Sequence, residues 1–179
     1  MAYANKKENH MFPPWMETAR RLIGVKEVRG SRDNPDILRW AQIVGGWTAS
    51  YYKRDSIPWC GLFVAYVLIQ NGIRPSPEAL RAKAWKYNWP DGKAIPGPAF
   101  GCLVVFSRTG GGHVGFYVSE DANYYHILGG NQSDAVNIQR ISKQRAIGFM
   151  WPKDSRYDKF YNPGRISKEF SGRISYDEA

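Results

Sequence analysis

The sequence predicts an α+β domain in which N-terminal helices pack on a C-terminal antiparallel sheet of about five strands. Two observations support this fold class. The N-terminal half contains helix-start signals and apolar residues at helical spacing. After residue 100, short runs of β-branched and aromatic residues alternate with Gly, Asn and Asp. Helices and strands in separate halves of a chain are typical of an α+β domain.

The first two predicted helices are defined by their ends. Residues 12–23 contain apolar side chains at helical spacing and are followed by Gly24. The second helix is expected to begin after Asn34 as N-cap, with Pro35 at its first position, and to end at Gly45. Both therefore carry a recognisable start or stop signal in the sequence.

The third predicted helix, residues 58–70, is apolar nearly all round, so we expect it to be the buried central helix. Residues 45–58 before it are expected to form a loop rich in Trp, Tyr and Ser. A fourth, amphipathic helix is predicted from Ser76 to about Trp85. The predicted strands are Cys102–Phe106, His113–Val118, Tyr124–Leu128, Val136–Ile141 and Ile147–Trp151.

The length of 179 residues predicts a single domain, since domains average about 150 residues. We assign residues 12–153 to this domain. Residues 1–11 are interpreted as a leader of vector origin, because the His10-Met11 pair resembles a cloning junction. Residues 154–179 are polar and lack periodicity, so they are interpreted as a basic C-terminal tail. The chain is expected to be monomeric.

The charge balance favours an anionic partner. Twenty-five Lys and Arg against 16 Asp and Glu give a net charge of +9. The basic residues are scattered and form no nucleic-acid-binding motif, so a nucleic-acid partner is not expected. No apolar stretch reaches 18 residues, which argues against integral membrane contact. No secretory signal peptide is recognisable, so synthesis in a host cytoplasm is expected.

Cys60 is the strongest candidate for a reactive group. It lies just inside the predicted third helix, after Pro58 and Trp59. The partial positive charge and unpaired N–H groups of a helix N-terminus favour a thiolate, so we expect a depressed pKa and a nucleophilic role. The alternative is that Cys60 is a small buried hydrophobic residue, which is common for a free cysteine.

His113 is the candidate general base. It follows a glycine run that ends at Gly112, and it begins a predicted strand, from which it could reach a helix end. The alternative is a hydrogen-bonded histidine at a sheet edge. A third group should orient the imidazole, and both His126 and Asn131 follow in the sequence. A regular strand would place these two on opposite faces, so at most one is expected to face the site.

A zinc site is not expected. The spacings of Cys60, Cys102, His113 and His126 contain no compact pair of ligands. The run Gly-Cys-Leu-Val-Val-Phe indicates that Cys102 is a core residue, and both cysteines are expected to be free thiols. We therefore predict neither a metal nor another cofactor.

Three motifs, taken in order, resemble the papain-like cell-wall peptidases and amidases of the CHAP and NlpC-type families. They are Pro-Trp-Cys-Gly-Leu-Phe-Val at 58–64, Gly-Gly-His-Val-Gly-Phe-Tyr-Val at 111–118 and Leu-Gly-Gly-Asn-Gln at 128–132. The similarity covers about residues 15–153 and is greatest to a subfamily common in bacteriophages and their hosts. The resemblance implies a papain-like fold with no required metal.

The same resemblance implies roles for individual residues. Cys60 would be the nucleophile, His113 the base and Asn131 the group that orients the imidazole. His126 is the alternative third residue, because NlpC-type members often have a second histidine in that role. The candidate substrate-binding or oxyanion residues are Trp59, Gly61, Gly112, Gln132 and Tyr52.

The function implied is hydrolysis of a peptidoglycan amide, by an endopeptidase or an N-acetylmuramoyl-L-alanine amidase. A phage endolysin that acts on the wall, in the periplasm or outside the cell, would need a partner such as a holin for release. One alternative is a secreted antibacterial amidase effector with an immunity protein as partner. Another is a non-catalytic wall-binding module, in which Cys60 would be a core residue.

Overall fold

The computed structural model describes residues 12–163 and the strand residues 174–175, so the predicted leader and most of the tail beyond residue 163 lie outside it. The α-helices of this region all precede the main strands. They are α1 (Pro14–Arg21), α2 (Pro35–Val44), α3 (Gly46–Tyr51), α4 (Cys60–Ile69) and α5 (Ala84–Tyr87). None of the described helices is long and apolar enough to cross a bilayer.

The strands form one sheet in the order β1-β6-β2-β3-β4-β5-β7. Every pair up to β5 is antiparallel, and the short β7 pairs with β5 in parallel. The strands are β1 (Gly92–Ile95), β2 (Leu103–Arg108), β3 (Gly111–Glu120), β4 (Tyr124–Gln132), β5 (Ala135–Ser142), β6 (Ala146–Pro152) and β7 (Ile174–Ser175). The predicted α+β class, with helices before an antiparallel sheet, is confirmed.

The central helix α4 is buried as predicted. Of its ten residues, eight are buried, and the helix packs against β3, β4 and α2. Its contact with the chain at Ala79 is so close that a Cβ at Gly61 would overlap the Ala79 carbonyl. Because it is enclosed on nearly every side, α4 holds its first residue in a fixed position relative to the sheet.

The second helix has the predicted ends. The Asn34 side chain accepts a hydrogen bond from the backbone N–H of Asp36 at 2.9 Å, as an N-cap should. Pro35 occupies the first turn, and Gly45 ends the helix with a φ of 76°. The predicted loop after it is wrong in part, because Gly46 immediately starts the short helix α3.

The fourth predicted helix is mostly absent. Between Ser76 and Lys83 the backbone forms turns, and only α5 is helical. The carbonyl of Ala79 accepts from the Trp85 indole at 3.0 Å instead of continuing a helix. The amphipathic pattern therefore reflects a turn that packs its apolar side chains, with Ala79 and Trp85 fully buried.

The first ten residues of the predicted tail pack on the domain, contrary to the boundary drawn at residue 153. Residues Ser155–Phe160 form a 3₁₀ helix. The Tyr157 hydroxyl donates to the Asn71 carbonyl at 3.0 Å, and its ring lies edge-on to Trp15 with centroids 5.3 Å apart. Aromatic contacts thus join this segment to the core.

Candidate active site

Cys60 and His113 line the same small cavity, at the junction of α4 with the sheet. Cys60 is the first residue of α4 and is 6% exposed. The N–H groups in the first turn of a helix have no partner within the helix, and those of Cys60 and Gly61 act on the thiol as hydrogen-bond donors. The predicted meeting of these two residues is thus present in the fold.

His113 enters the cavity from the start of β3, opposite Phe106 of β2. It is 8% exposed. The preceding Gly112 is closely packed, since a Cβ there would lie 2.7 Å from the Phe106 carbonyl oxygen. A glycine at this position therefore allows β2 and β3 to lie close together, and this close pairing fixes the position of His113.

The residue that contacts the imidazole is Gln132. His113 Nε2 lies 2.9 Å from Gln132 Oε1. The amide nitrogen of Gln132 donates to the carbonyls of Ile127 at 3.1 Å and Asn137 at 2.8 Å, so its orientation is fixed with the oxygen toward the histidine. An amide oxygen only accepts, so His113 must donate from Nε2. This tautomer leaves Nδ1 with a lone pair that can take a proton.

Asn131 does not make the expected contact with His113. A register shift between Gly129 and Gln132 interrupts the β4–β5 pairing, and Asn131 has a left-handed φ of 56°. Gly129 faces the imidazole, since a Cβ there would lie 3.2 Å from His113 Nε2. Strict alternation would put Asn131 on the same face, but the irregularity puts Gln132 there instead.

Asn131 turns toward the helix side of the cavity. Its Nδ2 donates to Glu27 Oε1 at 3.0 Å, and its Oδ1 lies 3.4 Å from the backbone N–H of Trp59, just before Cys60. Burial raises the pKa of Glu27, which also accepts from the Trp59 indole. Asn131 therefore belongs to the cavity wall, next to the nucleophile candidate rather than to the base.

His126 lies far from this cavity. It pairs with Ser119 near the other end of β3. Six residues separate Ser119 from His113, which is about 20 Å along a strand. Ser119 Oγ lies 2.8 Å from His126 Nδ1, and Asp121 Oδ2 lies 2.9 Å from Nε2. The alternative assignment of His126 as the group that orients His113 is therefore wrong in geometry.

The expected depressed pKa of Cys60 is also wrong. Burial raises the pKa of the thiol above its ordinary value. Hydrogen bonding from the backbone N–H groups of Val114 and Gly61, and the charge of Arg108, lower it by less. The helix start acts in the direction that the sequence predicted, but desolvation of the thiolate outweighs it.

The imidazole is likewise held neutral. Burial lowers the pKa of His113 to about 4, and the positive charges of Arg108 and Arg145 act in the same direction, while the hydrogen bond with Gln132 opposes them. At neutral pH the resting site thus contains a thiol and an imidazole, both uncharged.

The remaining candidates have packing roles. Tyr52 is 1% exposed and donates to the Asp55 carbonyl at 3.2 Å, away from the cavity. The Trp59 ring is fully buried against Gly130. Cys102 is fully buried, as predicted, and its pKa is raised to about 12 by burial. It lies 3.4 Å from the Ala99 N–H, and both cysteines are free thiols.

Three further polar residues line the cavity and were not found from the sequence: Arg108, Gln139 and Arg145. Arg108 ends β2, Gln139 lies in β5, and Arg145 lies in the 3₁₀ turn Lys143–Arg145. No local motif connects these residues, so only the sheet topology brings them together.

Within residues 12–163, no group of three or more His, Cys, Asp or Glu side chains is arranged to hold a metal ion. No family model matches the chain, and no curated protein matches it. Functional inference therefore depends on the geometry of the cavity and on the motifs of the sequence.

Proposed function

We propose that the chain is a cysteine-dependent hydrolase that cleaves an amide bond of bacterial peptidoglycan. The observation that carries the proposal is the 2.9 Å contact of His113 Nε2 with Gln132 Oε1, in the cavity that Cys60 also lines. Gln132 Oε1 accepts a hydrogen bond from the Nε2–H group, which leaves Nδ1 able to act as a base in that cavity. A thiol and an oriented base in one cavity are the minimum set for nucleophilic attack on a carbonyl.

The reaction begins from the neutral pair. When a substrate carbonyl enters, His113 Nδ1 takes the proton of the Cys60 thiol as sulfur attacks the carbonyl carbon. The resulting oxyanion is stabilised by unpaired N–H groups at the start of α4. The C–N bond then breaks, and His113 gives its proton to the leaving amine.

A thioester between Cys60 and the acyl group remains. Water attacks its carbonyl, with His113 accepting a proton, and the C–S bond breaks to give the carboxylic acid and the free thiol. Gln132 keeps the imidazole in one orientation throughout both steps, because its own amide nitrogen is anchored to two carbonyls.

Peptidoglycan as substrate is supported by the motifs around Cys60, His113 and Asn131 and by the net charge of +9. A basic protein is attracted to anionic wall polymers, which raises its concentration at the substrate. A phage endolysin is the specific form of this proposal, and it acts on the wall after release through a partner such as a holin.

The test compares two cysteine variants on purified peptidoglycan. Cys60→Ala should abolish clearing of the suspension and the appearance of new amino groups, while Cys102→Ala should retain the rate because Cys102 lies in the core. Amide cleavage releases amines without new reducing ends, and mass spectrometry of the fragments identifies the bond. Undiminished hydrolysis by a folded Cys60→Ala variant would refute the proposal.

A further inference from the structure

The cavity that contains Cys60 has a second set of polar groups, which the proposed mechanism does not use. Arg108 and Gln139 line it from the strands β2 and β5, and Arg145 lines it from the 3₁₀ turn Lys143–Arg145. Two guanidinium groups and one amide beside a nucleophile are suited to binding a polar substituent of the substrate.

The two arginines have no acidic partner within the described part of the chain. Arg145 donates to the Ser107 carbonyl at 3.4 Å, which leaves its charge uncompensated. Some other arginines of the domain are paired, such as Arg54 with Asp33 and Arg74 with Asp91. Burial is the main cause of the lowered pKa of His113, and the positive charges of Arg108 and Arg145 act in the same direction. They therefore create an electropositive site for an anion.

Gln139 supplies an independent sign of a ligand. Its side chain is fully buried, and its Nε2 donates to Ser133 Oγ at 2.9 Å. Its Oε1 has no hydrogen-bond partner among the residues that the structure describes. A buried polar atom without a partner costs about 1–3 kcal/mol, so buried amides normally have partners at both ends. The cavity has a volume of about 20 Å³, so a substrate N–H that supplies the missing donor must first open it.

We infer that the cavity selects peptide substrates with a free carboxylate within one residue of the scissile bond. Arg108 and Arg145 bind the carboxylate, and Gln139 Oε1 accepts a hydrogen bond from a neighbouring substrate N–H. This inference rests on the proposed role of Cys60 as the nucleophile. A carboxylate matches the planar guanidinium donors better than a neutral amide does.

The first test uses small alkylating reagents, so it needs no turnover. Iodoacetate and iodoacetamide have the same reactive carbon, but the first carries a carboxylate and the second an uncharged amide. The quantity compared is the rate of iodoacetate divided by the rate of iodoacetamide at Cys60, which peptide mass spectrometry resolves from Cys102. This ratio cancels any difference in thiolate fraction between variants. The ratio should fall about tenfold in the double variant Arg108→Gln/Arg145→Gln, and also in high salt.

The matched control is Arg21→Gln/Arg156→Gln, which removes the same charge at two exposed arginines that pair with other acidic residues. Its ratio should equal that of the unmodified protein. An equal ratio in the cavity variant and the unmodified protein would refute anion selection, even if Cys60 proves catalytic. A fall confined to the cavity variant supports the site, even if Cys60→Ala still hydrolyses peptidoglycan.

The second test compares two synthetic stem peptides that differ only in a free carboxylate or a carboxamide next to the scissile bond. The acid should have a KM about tenfold lower, and the cavity double variant should lose this difference. Gln139→Met should raise KM for both peptides, whereas the exposed Gln144→Met should not. Equal KM values for the two peptides would overturn the selection, and an unchanged KM in Gln139→Met would overturn the role of Gln139.

Discussion

A buried histidine lies at each end of β3, His113 in β3 itself and His126 in the neighbouring β4, yet the two differ in what they can do. At one end, His113 has one ring nitrogen bound to an uncharged amide, and no hydrogen bond in the described region occupies the other. At the other end, His126 has both nitrogens engaged, by Ser119 and Asp121. A histidine with a free lone pair can act as a base, whereas one with two partners holds neighbouring strands together.

The charges around the two histidines also differ: within the described residues, they are paired with each other near His126 and unpaired near His113. Arg140 and His126 hold the pKa of Asp121 well below its usual range. This cluster of one carboxylate with two partners is internally balanced. The cavity residues that the structure describes around His113 include two arginines but no carboxylate, so their positive charge is not balanced within the cavity.

The largest expected effect is on activity. His113→Ala should lower kcat/KM for peptidoglycan hydrolysis by about 10²–10⁴-fold, the usual contribution of a general base. His126→Ala should leave the rate within a few-fold, because its cluster lies at the far end of the strand. Circular dichroism would establish that both variants fold. A dead His126→Ala beside an active His113→Ala would reverse the assignment.

The second expected effect is on stability at low pH. The pKa of His113 is about 4 in the folded protein, against about 6.5 in an unfolded chain. Because the unfolded state binds the proton first, stability present above pH 6.5 is lost as the pH falls to 4. The loss is about 3 kcal/mol at most, at about 1.4 kcal/mol per pKa unit.

The measurement is urea unfolding at pH 7 and pH 4 for the unmodified protein and His113→Asn. Carboxylates lose their contribution in both proteins, so the difference between the two isolates His113. An equal loss in both proteins would show that His113 titrates normally and is not buried as described.

The third effect distinguishes the role of Gln132 from that of Asn131 by the loss of kcat that each alanine variant causes. Gln132→Ala should lower kcat about tenfold to a hundredfold, because the imidazole loses the contact that fixes its tautomer. Asn131→Ala should lower it less, since Asn131 contacts Glu27 and the Trp59 N–H rather than the base. Gln132→Glu should raise the pKa of His113 and move the acid limb of the pH–rate profile upward. An unmoved limb would contradict a positioning role.

The smallest expected effect concerns the end of β3 near Ser119, where both ring nitrogens of His126 have hydrogen-bond partners. Ser119→Ala removes the hydrogen bond to His126 Nδ1 and should lower the free energy of unfolding by about 1 kcal/mol. Hydrolysis should continue at the normal rate. Thermal unfolding and wall-clearing rates measure the two quantities, and a large loss of activity with unchanged stability would mean that the two ends are coupled.

The predicted fold was correct where a local pattern specifies the result. The apolar run 58–70 gave the buried helix, and five runs of β-branched and aromatic residues gave strands. β1 was missed, since Gly92–Ile95 has a weak strand pattern and becomes a strand by pairing with β6. The docking of Tyr157 was missed because one aromatic residue in a polar segment has no periodicity.

The sequence by itself determined the fold class and the position of Cys60 at a helix start. These follow from the hydrophobic pattern and helix caps, which act over a few residues. Only the folded chain brings Cys60 and His113, which are far apart in sequence, to one cavity. The tertiary structure decided that Gln132 contacts the imidazole, because a local irregularity in β4 shifts alternation by one residue. It also decided that the Cys60 thiol is neutral, since the depth of burial, and so the cost of desolvating a charge, depends on packing across the whole domain.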